Sequence, residues 1–272
     1  MLLLTMVVFG TEPLEVTITP FEDNGTRGIS GLSEAEDGTL WAVAERQRPR
    51  LLRLSADGAR VVEKVPVFRV PWGFDLESVD WLDDELLVFG TEHPLRGQAS
   101  VLLAKWNGER VRVVRVWKAG RGGLNERVAF NHGFEGICAS RDFIAVASET
   151  RIPTETGNAA QIYLIRRSGL DWYRPVVDDT FYLPIPTNTA ISALHCGENG
   201  QLSAIVRGQT EGAVFRALLQ YTIDTQQVEL FELAESLDPH NLEGLIADDD
   251  GGWWALSDAA EGEAVWVELK RR

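Results

Sequence analysis

The chain is short of the residues on which several function classes depend. Its 272 residues include only two cysteines and four histidines, and 26 Lys and Arg stand against 41 Asp and Glu. Two cysteines are too few for a disulfide framework, and no Cys/His spacing of the zinc type occurs. Cys138 and Cys196 each lie among apolar neighbours, which predicts two buried free thiols. A net charge of −15 repels nucleic-acid phosphates and anionic lipid, so a small-molecule substrate or ligand is the expected partner. Long hydrophobic runs are also missing. Met1 to Phe9 is apolar, but it is too short to span a bilayer and lacks the positive start of a signal peptide. It is expected to form an ordered strand, in a soluble protein that is cytoplasmic rather than exported. No G-x-S-x-G elbow, P-loop or H-E-x-x-H is present. The run Asp248-Asp249-Asp250 lacks the spaced ligands and distal Glu of a calcium loop, and fits a hairpin turn instead.

What the chain does have is a repeat. SGLSEAEDGTLWAVAE, ESVDWLDDELLVFGTE, EGICASRDFIAVASE, SALHCGENGQLSAIVR and EGLIADDDGGWWALSD open at Ser30, Glu77, Glu135, Ser192 and Glu243. They close at Glu45, Glu92, Glu149, Arg207 and Asp258, and successive openings are 47, 58, 57 and 51 residues apart. A period near 53 with many short strands is the mark of a β-propeller, one repeat to a blade. Each copy is a hairpin: an apolar run, a turn such as Asp37-Gly38 or Asn199-Gly200, and a second apolar run.

A third apolar run follows every hairpin, and a fourth follows all but the last, where the chain ends. Leu14 to Phe21 can supply the missing strand beside Ala264 to Leu269, which would remove the exposed edges of the ring. The expected fold is therefore all-β: a single domain over residues 1–272, a five-bladed propeller of four-stranded antiparallel blades, closed by both termini in one blade.

In such a ring the opening and closing residues share one rim. Glu77, Glu135 and Glu243 would line the channel mouth, with Glu45, Glu92, Glu149, Asp258 and Arg207 beside them. His132 and His240 precede two of the inner glutamates by three residues, and Arg46, His93 and Arg151 follow closings. Two uses of the inner glutamates are open. They can bond backbone N–H groups of the next blade and lock the ring. They can instead hold a hard divalent cation, Ca²⁺ above all, which takes six to eight oxygens. In the catalytic reading His132 or His240 is general acid or base, and Arg46, His93, Arg151 and Arg207 hold the substrate. The alternative is a non-catalytic propeller that binds a small ligand or a protein at the same mouth.

The phrase Asn241-x-Glu243-Gly244-Leu245, ending in Ser257-Asp258, resembles the phytase-like propeller family, known for esterase-like activity. Glu135-Gly136-Ile137 with Ser148-Glu149 repeats it. The inner Glu-Gly is also similar to gluconolactonase-type propellers, where such a glutamate binds the catalytic metal. The resemblance implies a metal-assisted hydrolase of an ester, lactone or phosphoester, with the cation on Glu77, Glu135 and Glu243. The further acidic calcium motifs of β-propeller phytases do not occur here.

Overall fold

Short apolar runs punctuated by Gly, Asp and Asn favour strands over helices, and the described residues form 21 strands and no α-helix. The structure, a computed structural model, describes residues 7–9, 13–23, 25–44, 48–93, 98–118, 133–154, 157–167, 177–210, 213–258 and 263–272; for 7–9, 93, 98, 118, 157 and 258 it describes backbone alone.

Strands β1 (Val7–Phe9) and β2 (Glu15–Pro20) come first. The first meander is β3 (Ile29–Glu34), β4 (Leu40–Ala44), β5 (Arg50–Leu54) and β6 (Val61–Phe68). The second is β7 (Asp75–Asp83), β8 (Leu86–His93), β9 (Gln98–Trp106) and β10 (Val111–Lys118). The third is β11 (Gly136–Ala139), β12 (Phe143–Thr154), β13 (Gly157–Arg166) and β14 (Val177–Ile185). The fourth is β15 (Thr189–Cys196), β16 (Gln201–Thr210), β17 (Ala213–Thr222) and β18 (Gln227–Glu232). Strands β19 (Asn241–Ala247), β20 (Trp253–Asp258) and β21 (Val265–Lys270) complete the series.

Within each meander neighbours pair antiparallel. The last group takes β2 as its fourth strand, with Glu15 opposite Lys270 and Pro20 opposite Val265, so the termini do share a sheet. Two outer edges find further partners. β1 lies parallel to β18, and β10 meets β6 in parallel through Val111–Val67 and Arg112–Phe68. The sheets consequently contain eight, five, four and four strands, where uniform sheets of four were expected. Unpaired edge N–H and C=O groups account for the difference, because they pair wherever another strand comes within reach.

The first strands of the meanders pack in a cycle: β3 on β7, β7 on β11, β11 on β15, β15 on β19, and β19 back on β3. Apolar side chains fill the wedges between successive meanders. Trp41, Val43, Phe89 and Leu102 fill one wedge, Ile162, Leu183, Leu194 and Leu219 another, and Leu32, Ile246, Leu256 and Trp266 a third. Sheets buried on both faces require nearly continuous apolar strands, such as LWAVA in β4, all of it buried. Each fully buried Leu or Ile contributes about 1.5–3 kcal/mol. This is a β-propeller. No helix among the described residues is long and apolar enough to cross a membrane.

Two glycines set the spacing between inner strands. A Cβ on Gly136 would lie 2.7 Å from that of Leu194, and one on Gly244 2.6 Å from that of Leu32. Such close approach between β11 and β15 also overturns the expectation of free thiols. Cys138 and Cys196 form a disulfide across these strands, with Cα atoms 5.3 Å apart. Nothing local in the sequence pairs residues 58 apart; only the ring brings them together.

Candidate functional site at the channel mouth

Inner strands do not pair evenly at their opening residues. The ladder slips between Ser30 and Leu32, Leu76 and Ser78, Ile191 and Ala193, and Leu242 and Gly244. A bulge leaves one residue outside the ladder and re-aims its side chain. Glu77, Ser192 and Glu243 occupy such places, while Glu135 directly precedes β11. All three glutamates are buried, between 6% and 8% exposed. Buried carboxylates are costly unless hydrogen-bonded or paired, so their partners determine what they can do.

Glu243 is engaged on both oxygens. Ser30 Oγ donates to Oε2 at 2.8 Å, which ties β3 to β19. Asn241 Nδ2 donates to Oε1, and Arg207 Nη2 stands 3.6 Å from the same oxygen. Arg207 Nη1 donates in turn to Asn241 Oδ1. Asn241 therefore bridges the guanidinium and the carboxylate. Ser192 Oγ donates to the Leu242 carbonyl at 2.7 Å, and Ser78 Oγ to the Phe134 carbonyl at 3.2 Å. These hydroxyls tie β15 to β19 and β7 to the segment that leads into β11.

The remaining acids face one another. Glu135 is driven well above the ordinary carboxylate range, first by burial and then by Glu149, with Glu243 and Glu92 adding to it and Arg207 opposing. Glu92, on β8 opposite Asp75, is pushed up to about 7 by burial, then by Glu149, Asp75 and Glu243. The mutual repulsion places Glu92, Glu135, Glu149 and Glu243 in one electrostatic neighbourhood around Arg207. Arg216, opposite Arg207 on β17, donates through Nε to the His240 carbonyl at 2.9 Å and pairs with Asp238 at 3.3 Å. Burial, reinforced by Arg216, lowers the pKa of the His240 imidazole and keeps it neutral.

Of the residues singled out from sequence, Glu92, Glu135, Glu149, Glu243 and Arg207 meet here, and His240 lies beside Arg216. Glu77 is buried on β7 nearby, whereas Arg151 is exposed on β12 beyond a bulge. Glu45, Arg46 and His132 lie outside the described residues, as do the side chains of His93 and Asp258. Sequence reasoning gave Asn241 no role in the site and missed Asp75 and Arg216. A polar side chain two residues before an inner glutamate was the available signal for the first two.

The donor chemistry, all carboxylate oxygen, suits a hard cation. The geometry does not: among the described residues no three acid, His or Cys side chains lie close enough to hold a metal. Glu243 already spends its oxygens on Ser30, Asn241 and Arg207. As placed, these residues do not make a calcium shell.

Fold and mouth together define a β-propeller whose inner strands converge on buried carboxylates around an arginine. The chain belongs to the phytase-like family, described by the esterase-like activity of phytase, which it matches over residues 24–258. No curated protein sequence matches it. Among solved structures it is similar to a mannose phosphorylase from Leishmania mexicana in complex with a phosphate ion, at 12% identity and TM-score 0.58, covering 92% of this chain and 87% of that one. It is also similar to the apo form of a soluble aldose sugar dehydrogenase from Escherichia coli, at 11% identity and TM-score 0.54, covering 95% of this chain and 100% of that one. At such identities the likeness is one of fold.

Proposed function

We propose that this five-bladed propeller is a hydrolase of esters, lactones or phosphoesters, working at the channel mouth. Five meanders and the closed cycle of five first strands support the blade count. The observation that carries the reaction is the pairing of two displaced carboxyls, Glu92 and Glu135, in one field with Arg207. Environments that separate the protonation states of neighbouring acids assign acid and base roles.

Above its pKa of about 7, Glu92 takes a proton from a water as the water oxygen attacks the acyl carbon or phosphorus. Arg207 stabilises the negative oxygen that develops, and Asn241 holds that guanidinium in place. Glu135, kept protonated, gives its proton to the departing alkoxide as the C–O or P–O bond breaks. An ester or phosphoester yields an acid and an alcohol, a lactone a single hydroxy acid, and solvent exchange restores the two carboxyls. His240, held neutral, is the second base available on this side.

The test is turnover of p-nitrophenyl acetate, a δ-lactone and p-nitrophenyl phosphate by the purified protein. Activity should rise with pH through about 7 and fall at least about 100-fold in Glu92→Gln. No turnover of any substrate, or full activity in the double variant Glu92→Gln with Glu135→Gln, would remove the proposal. The saturation of Glu243 by Ser30, Asn241 and Arg207 favours a second reading, a non-catalytic ligand propeller. It requires ligand binding that depends on Arg207 without product.

Calcium at Glu77, Glu135 and Glu243 stands apart from this chemistry. Binding only to the folded form would raise stability by about 2.7 kcal/mol at a hundredfold excess over Kd. Equal melting temperatures in calcium and in chelator would exclude it. The disulfide supports an oxidising compartment over the cytoplasmic one expected from sequence.

A further inference from the structure

Every fourth strand but one carries an acid. β2 has Glu15, β6 has Glu63 beside Lys64, β14 has Asp178 and Asp179, and β18 has Glu229 and Glu232. β10 has Arg112, Arg115 and Lys118 and no acid at all. Charges on an outer strand discourage sheet-edge pairing, but every other fourth strand includes an acid. Edge protection therefore does not explain an exclusively cationic strand in a protein with net charge −15.

Arg112 and Arg115 of β10 line a groove of about 720 Å³ where β10 meets β6. Among the described residues its lining includes Phe68, Arg69, Lys105, Arg110, Arg112 and Arg115, and no Asp or Glu. Phe68 is 46% exposed, and Trp72, three residues past Arg69, is 83% exposed. An adjoining hollow shares Lys105 and Arg115 and has Asp83, Asp84 and Glu85 on its wall, which bounds the positive field on that side.

We propose that this groove docks an acidic, partly apolar segment of a partner protein. Four of its five cations are arginines, whose planar fork pairs carboxylates bidentately and is weakly hydrated. Arginine and exposed aromatic side chains are the types enriched at protein interfaces, where lysine is depleted. A long nucleic acid would run from the groove onto acidic surface and be repelled. A small phosphate ion would have no use for exposed Phe68 and Trp72.

The probe is a fluorescein-labelled peptide alternating glutamate with leucine, with a glutamine-for-glutamate peptide as control. Anisotropy at low salt should show binding of the acidic peptide alone, weakening steeply as salt is added. Arg110→Glu with Arg112→Glu should weaken it at least about tenfold while esterase turnover is unchanged. Trp72→Ala, in a surface loop, should weaken it too, and keeps the test open if the β10 variant fails to fold. No binding at low salt, equal binding of the glutamine peptide, or undiminished binding to Trp72→Ala and the arginine variant would each overturn the proposal. So would complete displacement by equimolar tripolyphosphate, which would assign the groove to a small phosphate anion.

Discussion

Asp80 and Glu92 are both raised carboxylates, yet the structure uses them differently. Asp80, on β7, accepts from Ser33 Oγ at 2.5 Å, from the Ala139 N–H at 2.6 Å and from the Trp81 N–H at 2.8 Å, with Arg167 close enough to favour its charge. It joins three meanders, and burial still carries its pKa to about 6. An acid raised on folding binds its proton more tightly in the native state, so its stabilisation is complete below about pH 4 and is lost as pH rises through about 6. Asp80→Ala should therefore cost about 2–3 kcal/mol more near about pH 4 than near about pH 8, by urea unfolding at both. A pH-independent cost would refute this account. Glu92 has repulsive neighbours where Asp80 has donors. Glu92→Gln should raise stability near about pH 8 by about 1–2 kcal/mol, after allowance for solvent screening, with no gain near about pH 4. A variant that is more stable and less active is the sign of a site held under electrostatic strain. If it is less stable at both pH values, Glu92 is a structural residue.

At the scale of elements, the Glu-Gly phrase has two parts with separate jobs. The bulge aims the glutamate, and the glycine lets the next inner strand come close. Gly244→Ala sets a Cβ against Leu32 of β3 and should cost about 1–3 kcal/mol, with far-UV CD unchanged. A neutral substitution would mean that the strands part easily, and the spacing argument would fail. Strand order was legible from the repeat because apolar runs and turn dipeptides are local signals. Asn199-Gly200 shows why: both residues take positive φ in the turn after β15. The bulges were not legible, since a bulge is a relation between two strands and leaves no mark in one. The same holds for Asn241, whose hydrogen bonds reach Arg207 on a different meander. Asp80 did leave a trace, an acid between Val79 and Trp81 in an inner strand, but its partners are residues 33 and 139.

For the whole molecule, the ring is held shut at seams of different kinds. Between the last strand of the chain and its second the closure is a ladder of backbone hydrogen bonds, β2 on β21. Between β11 and β15 it is the covalent Cys138–Cys196 bond, which encloses the third meander in a loop of sequence separation 58. A crosslink of that span removes loop-closure entropy from the unfolded chain worth about 4 kcal/mol. Reduction, or Cys138→Ser with Cys196→Ser, should lower unfolding free energy by about that amount. The ring need not open, because Ser78 and Ser192 still bond across the neighbouring seams and the wedge of Ile162, Leu183, Leu194 and Leu219 stays apolar. Urea unfolding with and without reductant measures the loss, and turnover under the same conditions shows whether the mouth survives. A loss near the entropic value with activity retained means that the bridge acts on the unfolded chain. Inactivation without a comparable loss of stability would mean instead that the bond holds β11, and with it Glu135, in position for the chemistry.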